Sequence, residues 1–243
     1  MTPSSIVSSP GRMVSSVMKM FRGKTVLHMG CKECGNDEAY LGVKVLSKLG
    51  VTVEAKEFSC GCDFCGIDEP KILEIAKANK KVLKGYGKVI VGCARCLYVL
   101  KKYYGMEAVH ITEVIAERME GMEKKFIGSG DVFYHDPCYL ARYEVVMDAP
   151  RDILKKLGYN LIEFKSNREK TDCCGDYSPI QAMRERGAVL RLNQVASEGI
   201  VTAACPKCTQ NFSCFNKANS KITVKPFLEL VDYALDMDIP SVY

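Results

Sequence analysis

Residues 131–138 read DVFYHDPC, and residues 24–31 read KTVLHMGC. Each is a short run rich in β-branched, aromatic and aliphatic residues that ends in a histidine and, three positions on, a cysteine. His28 and Cys31 recur as His135 and Cys138, 107 residues later, and Cys93 and Cys96 recur as Cys205 and Cys208, 112 residues later. Landmarks that repeat at nearly one offset indicate an internal duplication. Outward from the first stretch the pattern predicts a helix over 38–49, a strand over 51–58, a helix over 70–83, a strand over 88–92 and a helix opened by Cys93-Ala-Arg-Cys96. The second copy gives a strand at 131–135, a helix over 151–157, a strand over 159–164, a helix over 179–196 and a strand over 199–204 that leads to Cys205-Pro-Lys-Cys208. Each copy closes with a short strand (108–111, 222–225) and a helix (112–119, 227–235). Alternating helices and Val/Ile-rich strands predict an α/β chain of two tandem, pseudo-symmetric, parallel-sheet (Rossmann-like) halves with right-handed crossovers. The expected units are a flexible basic amphipathic extension over 1–23, an N-terminal half over 24–126 and a C-terminal half over 127–243.

Composition narrows the chemistry. The 243 residues include 13 cysteines, with 47% hydrophobic and 26% charged residues, which describes a globular chain and excludes disordered and collagenous classes. No run approaches the roughly 18 apolar residues of a spanning helix. An odd cysteine count in a chain too long to need disulfide staples points to metal or redox chemistry. Arg12, Lys19, Arg22, Lys24 and Lys32 all precede the first acidic residue, Glu33, so the net charge of +5 belongs to one end and the body is neutral. A nucleic-acid footprint is therefore not expected. In that basic end, Met13, Val14, Val17, Met18 and Phe21 recur at helical spacing. The stretch suits an interfacial helix at an anionic lipid surface; a helix packed on the body, a disordered tail and a transit peptide stay open as alternatives.

Every cysteine group directly follows a predicted strand, and ligands of open α/β sheets bind outside the carboxyl ends of strands. Helices that start at that rim direct their N-terminal dipoles at it, which favours thiolates and an anionic centre. In the C-terminal half the order is Cys138, 34 residues, Cys173-Cys174, 30 residues beginning with Gly175, Cys205-x-x-Cys208. Five sulfurs exceed the four of a structural zinc site, and soft thiolates are the usual ligands of iron-sulfur clusters. Gly175 is expected to relieve the turn that brings both adjacent cysteines to one centre. The N-terminal half has no adjacent pair and offers Cys31, Cys34, Cys60, Cys62, Cys65, Cys93 and Cys96. Cys60-Gly-Cys62 reads as a split doublet, since 30 residues separate Cys62 from Cys93 as they separate Cys174 from Cys205; Cys65-Gly66 is the competing alignment. Cys62-x-x-Cys65 with Cys93-x-x-Cys96 is a third arrangement, a four-thiolate set suited to zinc. His28 and His135 read first as satisfied structural histidines, with ligand, proton donor or potential-tuning roles open. Cys214, between Phe212 and Phe215, reads as buried core.

HDPCYL (135–140), CCG (173–175) and ACPKC (204–208) resemble the cysteine-rich CCG domain. That domain occurs twice in the B subunit of heterodisulfide reductase, and also in the E-type cysteine-rich subunit of certain succinate:quinone reductases, in the iron-sulfur subunit of glycolate oxidase and in lactate-utilisation proteins. The resemblance runs from about Lys24 to about Leu235, strongest in the C-terminal half. It implies a noncubane [4Fe-4S] cluster on Cys138, Cys173, Cys174, Cys205 and Cys208, with a four-thiolate zinc site as the alternative, and rigid turn roles for Pro137 and Pro206. It implies zinc or a second [4Fe-4S] cluster in the N-terminal half, on Cys31, Cys62, Cys65, Cys93 and Cys96 with Cys34 and Cys60 as further candidates; metal-free dithiols are the remaining alternative there.

The sequence holds no Walker A, no GxGxxG after a strand, no H-E-x-x-H and no nucleophile elbow, so hydride chemistry must come from elsewhere. The expected function is an iron-sulfur subunit of a multi-subunit oxidoreductase, exchanging electrons with iron-sulfur and flavoprotein subunits and a quinone-type acceptor. The expected location is cytoplasmic, and peripheral on the inner face of the cell membrane where the basic extension meets lipid. Two alternatives stand beside it: a catalytic subunit similar to the B subunit of heterodisulfide reductase, which cleaves a disulfide at its clusters, and a zinc-binding assembly module without a redox role.

Overall fold

The structure is a computed structural model and describes residues 24–30, 36–123, 126–216 and 221–237. The basic helix expected over 13–21, and the candidate ligands Cys31 and Cys34, lie outside the described residues. The first half contains β1 (Lys24–His28), α1 (Asn36–Lys48), β2 (Glu54–Lys56), α2 (Glu69–Asn79), β3 (Tyr86–Val91), α3 (Ala94–Lys102), β4 (Ala108–His110) and α4 (Ile111–Glu120). The second contains β5 (Asp131–His135), α5 (Cys138–Arg142), α6 (Asp148–Lys156), β6 (Asn160–Glu163), α7 (Gln181–Leu192), β7 (Gly199–Ala203), α8 (Pro206–Phe215), β8 (Ile222–Val224) and α9 (Phe227–Asp236).

The strands form two four-stranded, all-parallel sheets in the orders β2-β1-β3-β4 and β6-β5-β7-β8. Even the registers repeat: His28 lies opposite Val91 and His135 opposite Ala203, the same positions of the two copies. Val89, Ile90 and Val91 are buried in succession, as expected of a strand covered on both faces. The strand expected over 51–58 is confined to Glu54–Lys56. It is an edge strand, and before it the Val51 N–H still closes α1 by donating to Leu46 O, while after it the chain leaves for the cysteine loop. Helix α5, which the spacing did not predict, starts at Cys138 behind Pro137. The last helix of each half packs on a helix of the other, α9 on α1 and α4 on α6. Lys44 and Lys48 reinforce the first contact through Asp232, at 2.7 and 2.5 Å. Among the described residues no helix is long and apolar enough to cross a membrane.

Candidate metal centre

In the C-terminal half the carboxyl ends of β5 and β7, with the loop before α7, bring five sulfurs into a continuous chain. Cys138 Sγ lies 3.8 Å from Cys173 Sγ. Cys173 contacts Cys174, Cys174 contacts Cys208, and Cys208 contacts Cys205. The thiol of Cys138 and then Cys174 donate to Cys173, and the Gly175 N–H adds a third bond at 3.3 Å, so Cys173 is held far below the ordinary thiol pKa. Cys174, Cys205 and Cys208 are buried, whereas Cys138 and Cys173 are partly open.

His135 ends β5 against this group. Its ligating nitrogen and the sulfurs of Cys174 and Cys208 all lie within 4.8 Å of one another. It is fully buried, and neither ring nitrogen has a hydrogen-bond partner among the described residues. Burial, then the charge of Arg191, push it down to about 3, so the ring is neutral. The expectation of a satisfied structural histidine is thus corrected: β5 drives the side chain into a corner, with Phe212 at 5.0 Å and Phe164 at 6.2 Å, that offers it sulfur and, among the described residues, no oxygen acceptor. Cys214 also differs from expectation, for it is exposed. The buried side of α8 runs through Cys208, Thr209, Asn211 and Phe212, and position 214 falls on the other face.

Several residues that fix the sulfurs are not among the candidate site residues the sequence offers. Asp136 is 1% exposed and bonds both terminal nitrogens of Arg151, at 2.7 and 2.6 Å. Its carboxylate also accepts from the Arg168 N–H at 2.7 Å, and its carbonyl from the Thr171 hydroxyl at 3.0 Å. The loop bearing Cys138 is thereby fastened to the loop bearing Cys173. Asn211 on α8 donates to the Cys174 and Arg184 carbonyls at 2.8 and 3.1 Å.

Glycine is required at two positions by the Cys173-Cys174 turn. Gly175 has φ +94°, and a Cβ there would lie 2.9 Å from Arg184 O. Gly187 sits inside α7, where a Cβ would lie 2.7 Å from Cys174 O. For Gly187 a signal was available, a glycine within a helical pattern. Gly187→Ala should therefore destabilise the protein by about 1–3 kcal/mol through overpacking, outweighing the roughly 1 kcal/mol of helix propensity gained. Thermal unfolding tests this, and a more stable variant would show that the close approach is unimportant.

In the N-terminal half three sulfurs, those of Cys60, Cys62 and Cys96, form a compact group. Cys60 Sγ lies 3.3 Å from Cys96 Sγ, and Cys96 Sγ lies 3.7 Å from Cys62 Sγ. His28, stacked on Phe58 at 4.0 Å, Cys60 and Cys96 place their ligating atoms within 4.8 Å of one another. Cys60 therefore occupies the place relative to His28 and Cys96 that Cys174 occupies relative to His135 and Cys208. Cys65 turns the other way, its sulfur 3.5 Å from the Tyr139 hydroxyl of the C-terminal half. Cys93 reaches across the halves and bonds Cys205, which also accepts from the Ala94 N–H. A cleft at this junction is lined by Ala94, Arg95, Cys138, Tyr139, Cys173 and Tyr177, among others.

Soft donors gathered at the carboxyl edge of two parallel sheets make an α/β protein whose donor sets could hold soft metals. Residues 132–213, in the C-terminal half, match the family model described as the CCG cysteine-rich domain. The chain is 29% identical over 226 residues to the D subunit of the dihydromethanophenazine:CoB–CoM heterodisulfide reductase of Methanosarcina barkeri, covering 82% of this chain and 55% of that one. It is 27% identical to the B subunit of the fumarate reductase (CoM/CoB) of Methanothermobacter marburgensis, over 81% of this chain and 43% of that one. Identity to the EtfAB:quinone oxidoreductase of Syntrophomonas wolfei subsp. wolfei is 32%, over 55% of this chain and 20% of that one. The chain thus spans about half the length, or less, of these curated relatives.

Proposed function

We propose that the chain is an iron-sulfur subunit of a multi-subunit oxidoreductase, with Cys138, Cys173, Cys174, Cys205 and Cys208 holding a noncubane [4Fe-4S] cluster. The observation that carries this is the unbroken contact chain of those five sulfurs beside His135, a buried imidazole with no hydrogen-bond partner among the described residues. Five soft donors suit iron and sulfide better than a four-coordinate zinc ion. When bound, the cluster supplies one-electron chemistry. The chain's own residues hold it in place: Cys174, Cys205 and Cys208 are buried, Cys138 and Cys173 are partly open, and all five line the cleft.

In the N-terminal half the donor set of His28, Cys60, Cys62 and Cys96 suits tetrahedral zinc, and a second cluster drawing on Cys93 as well is the alternative. Iron-sulfur and flavoprotein subunits are the proposed electron partners, and a quinone the proposed acceptor, at the inner face of the cytoplasmic membrane. Relatives named as heterodisulfide reductase, fumarate reductase and quinone oxidoreductase proteins support the oxidoreductase class. A second reading, reduction of a disulfide, is favoured by one feature: the cleft beside Cys138 and Cys173 is lined from both halves.

Metal and acid-labile sulfide analysis of anaerobically prepared protein tests the proposal. About four iron per chain with one zinc is expected; zinc without sulfide would sink the redox reading, and about eight iron without zinc would favour disulfide reduction.

A further inference from the structure

The residue before the second cysteine of each Cys-x-x-Cys is a cation, Arg95 in one half and Lys207 in the other. Each crosses to the opposite half. Arg95 Nη2 lies 2.8 Å from Asp176, two residues beyond the Cys173-Cys174 pair, and Lys207 Nζ lies 3.6 Å from Asp63, next to Cys62. Arg95 Nη2 is also 3.8 Å from Asp63. The two ion pairs are reciprocal across the junction where Cys93 meets Cys205.

Arg95 is only 7% exposed. A guanidinium is always protonated, and Arg95 lies within electrostatic reach of Cys62 and Cys93 of its own half and of Asp176 and Cys205 of the other. It therefore stands between the two sulfur groups and lines the cleft beside Cys138 and Cys173. A buried centre bound by several thiolates gains negative charge on reduction, and in a low-dielectric interior a cation at this position stabilises the reduced form more than the oxidised one.

We propose that Arg95 is a counter-cation shared by the two sulfur groups, through which the N-terminal half raises the reduction potential of the C-terminal centre. The proposal rests on the iron-sulfur reading of the five C-terminal cysteines. Asp176 opposes it: its carboxylate partly offsets the guanidinium and lowers the potential. Arg95 is thus a tuning residue, supplied to one centre by the other half of the duplication.

The test is a redox titration of the anaerobically loaded full-length chain, followed by its low-temperature paramagnetic signal. Arg95→Gln should make reduction at least about tenfold less favourable, about 59 mV for a one-electron couple. Arg95→Lys should stay near the parent value, and Asp176→Asn should shift the potential in the opposite direction to Arg95→Gln. The double variant should return towards the parent. Equal shifts of one sign in Arg95→Gln and Asp176→Asn, or no shift in either at full iron content, would overturn the proposal. If Arg95→Gln does not fold, an unmoved or lowered potential in Asp176→Asn overturns it alone. A parent chain that binds no iron and sulfide fails the underlying cluster assignment instead, which separates the two outcomes.

Discussion

Cys174→Ser is expected to abolish the low-temperature paramagnetic signal of the oxidised C-terminal centre and to lower its bound iron several-fold, with the fold intact. Cys174 is the middle link of the sulfur chain, touching Cys173 on one side and Cys208 on the other, and its sulfur accepts from the Asp176 N–H. A serine oxygen is a harder and far less acidic donor than a thiol, so iron loses its preferred ligand while the side-chain volume scarcely changes. The expected fold retention follows from the turn itself, which Gly175 and the Asn211 bonds to the Cys174 and Arg184 carbonyls fix through the backbone. Cys214→Ser is the internal control: that residue is exposed on α8, and its variant should keep iron, sulfide and signal. An unchanged signal in Cys174→Ser would show that the ligand set is wrong.

Asp136→Ala should lower stability by about 3 kcal/mol, near the lower end of the range for removing one partner of a buried ion pair. Arg151 is 2% exposed and would keep only Glu163 and the Met147 carbonyl, at 2.6 Å each, which limits the loss. The Arg168 N–H would also lose its acceptor. For a chain of this size the midpoint of thermal unfolding should fall by roughly 6–12 °C. Because Asp136 joins the Cys138 loop to the Cys173 loop, the paramagnetic signal should broaden as well. Adding Arg151→Met should recover much of the lost stability, since replacing a whole buried pair by apolar groups costs little, but should not restore the signal. A loss below about 1 kcal/mol would mean that Glu163 alone satisfies Arg151.

The duplication and the two parallel sheets were legible because they rest on local information. KTVLH and DVFYH are strand runs on their own evidence, and the matched offsets of His28 to His135 and Cys93 to Cys205 required no knowledge of contacts. Element ends were less legible. The edge strand β2 is shorter than its Val-rich sequence suggests because Val51 still belongs to the turn that closes α1. In the N-terminal half, spacing left three arrangements standing, since a count of 30 residues to Cys93 favours Cys62 and says nothing of which sulfur approaches Cys96. The structure brings both Cys60 and Cys62 to Cys96, and sends Cys65 to Tyr139.

Sequence by itself determined the α/β class, the repeat and the identity of the soft donors, all of which follow from side-chain type and spacing along the chain. Only the tertiary structure decided which donors share a space, that His135 meets sulfur and no oxygen acceptor among the described residues, that Asp136 fastens two loops, and that Arg95 pairs with Asp176 of the opposite half. The physical reason is distance along the chain: Arg95 and Asp176 are 81 residues apart, and such a pair is created by how two sheets pack, which no local period encodes.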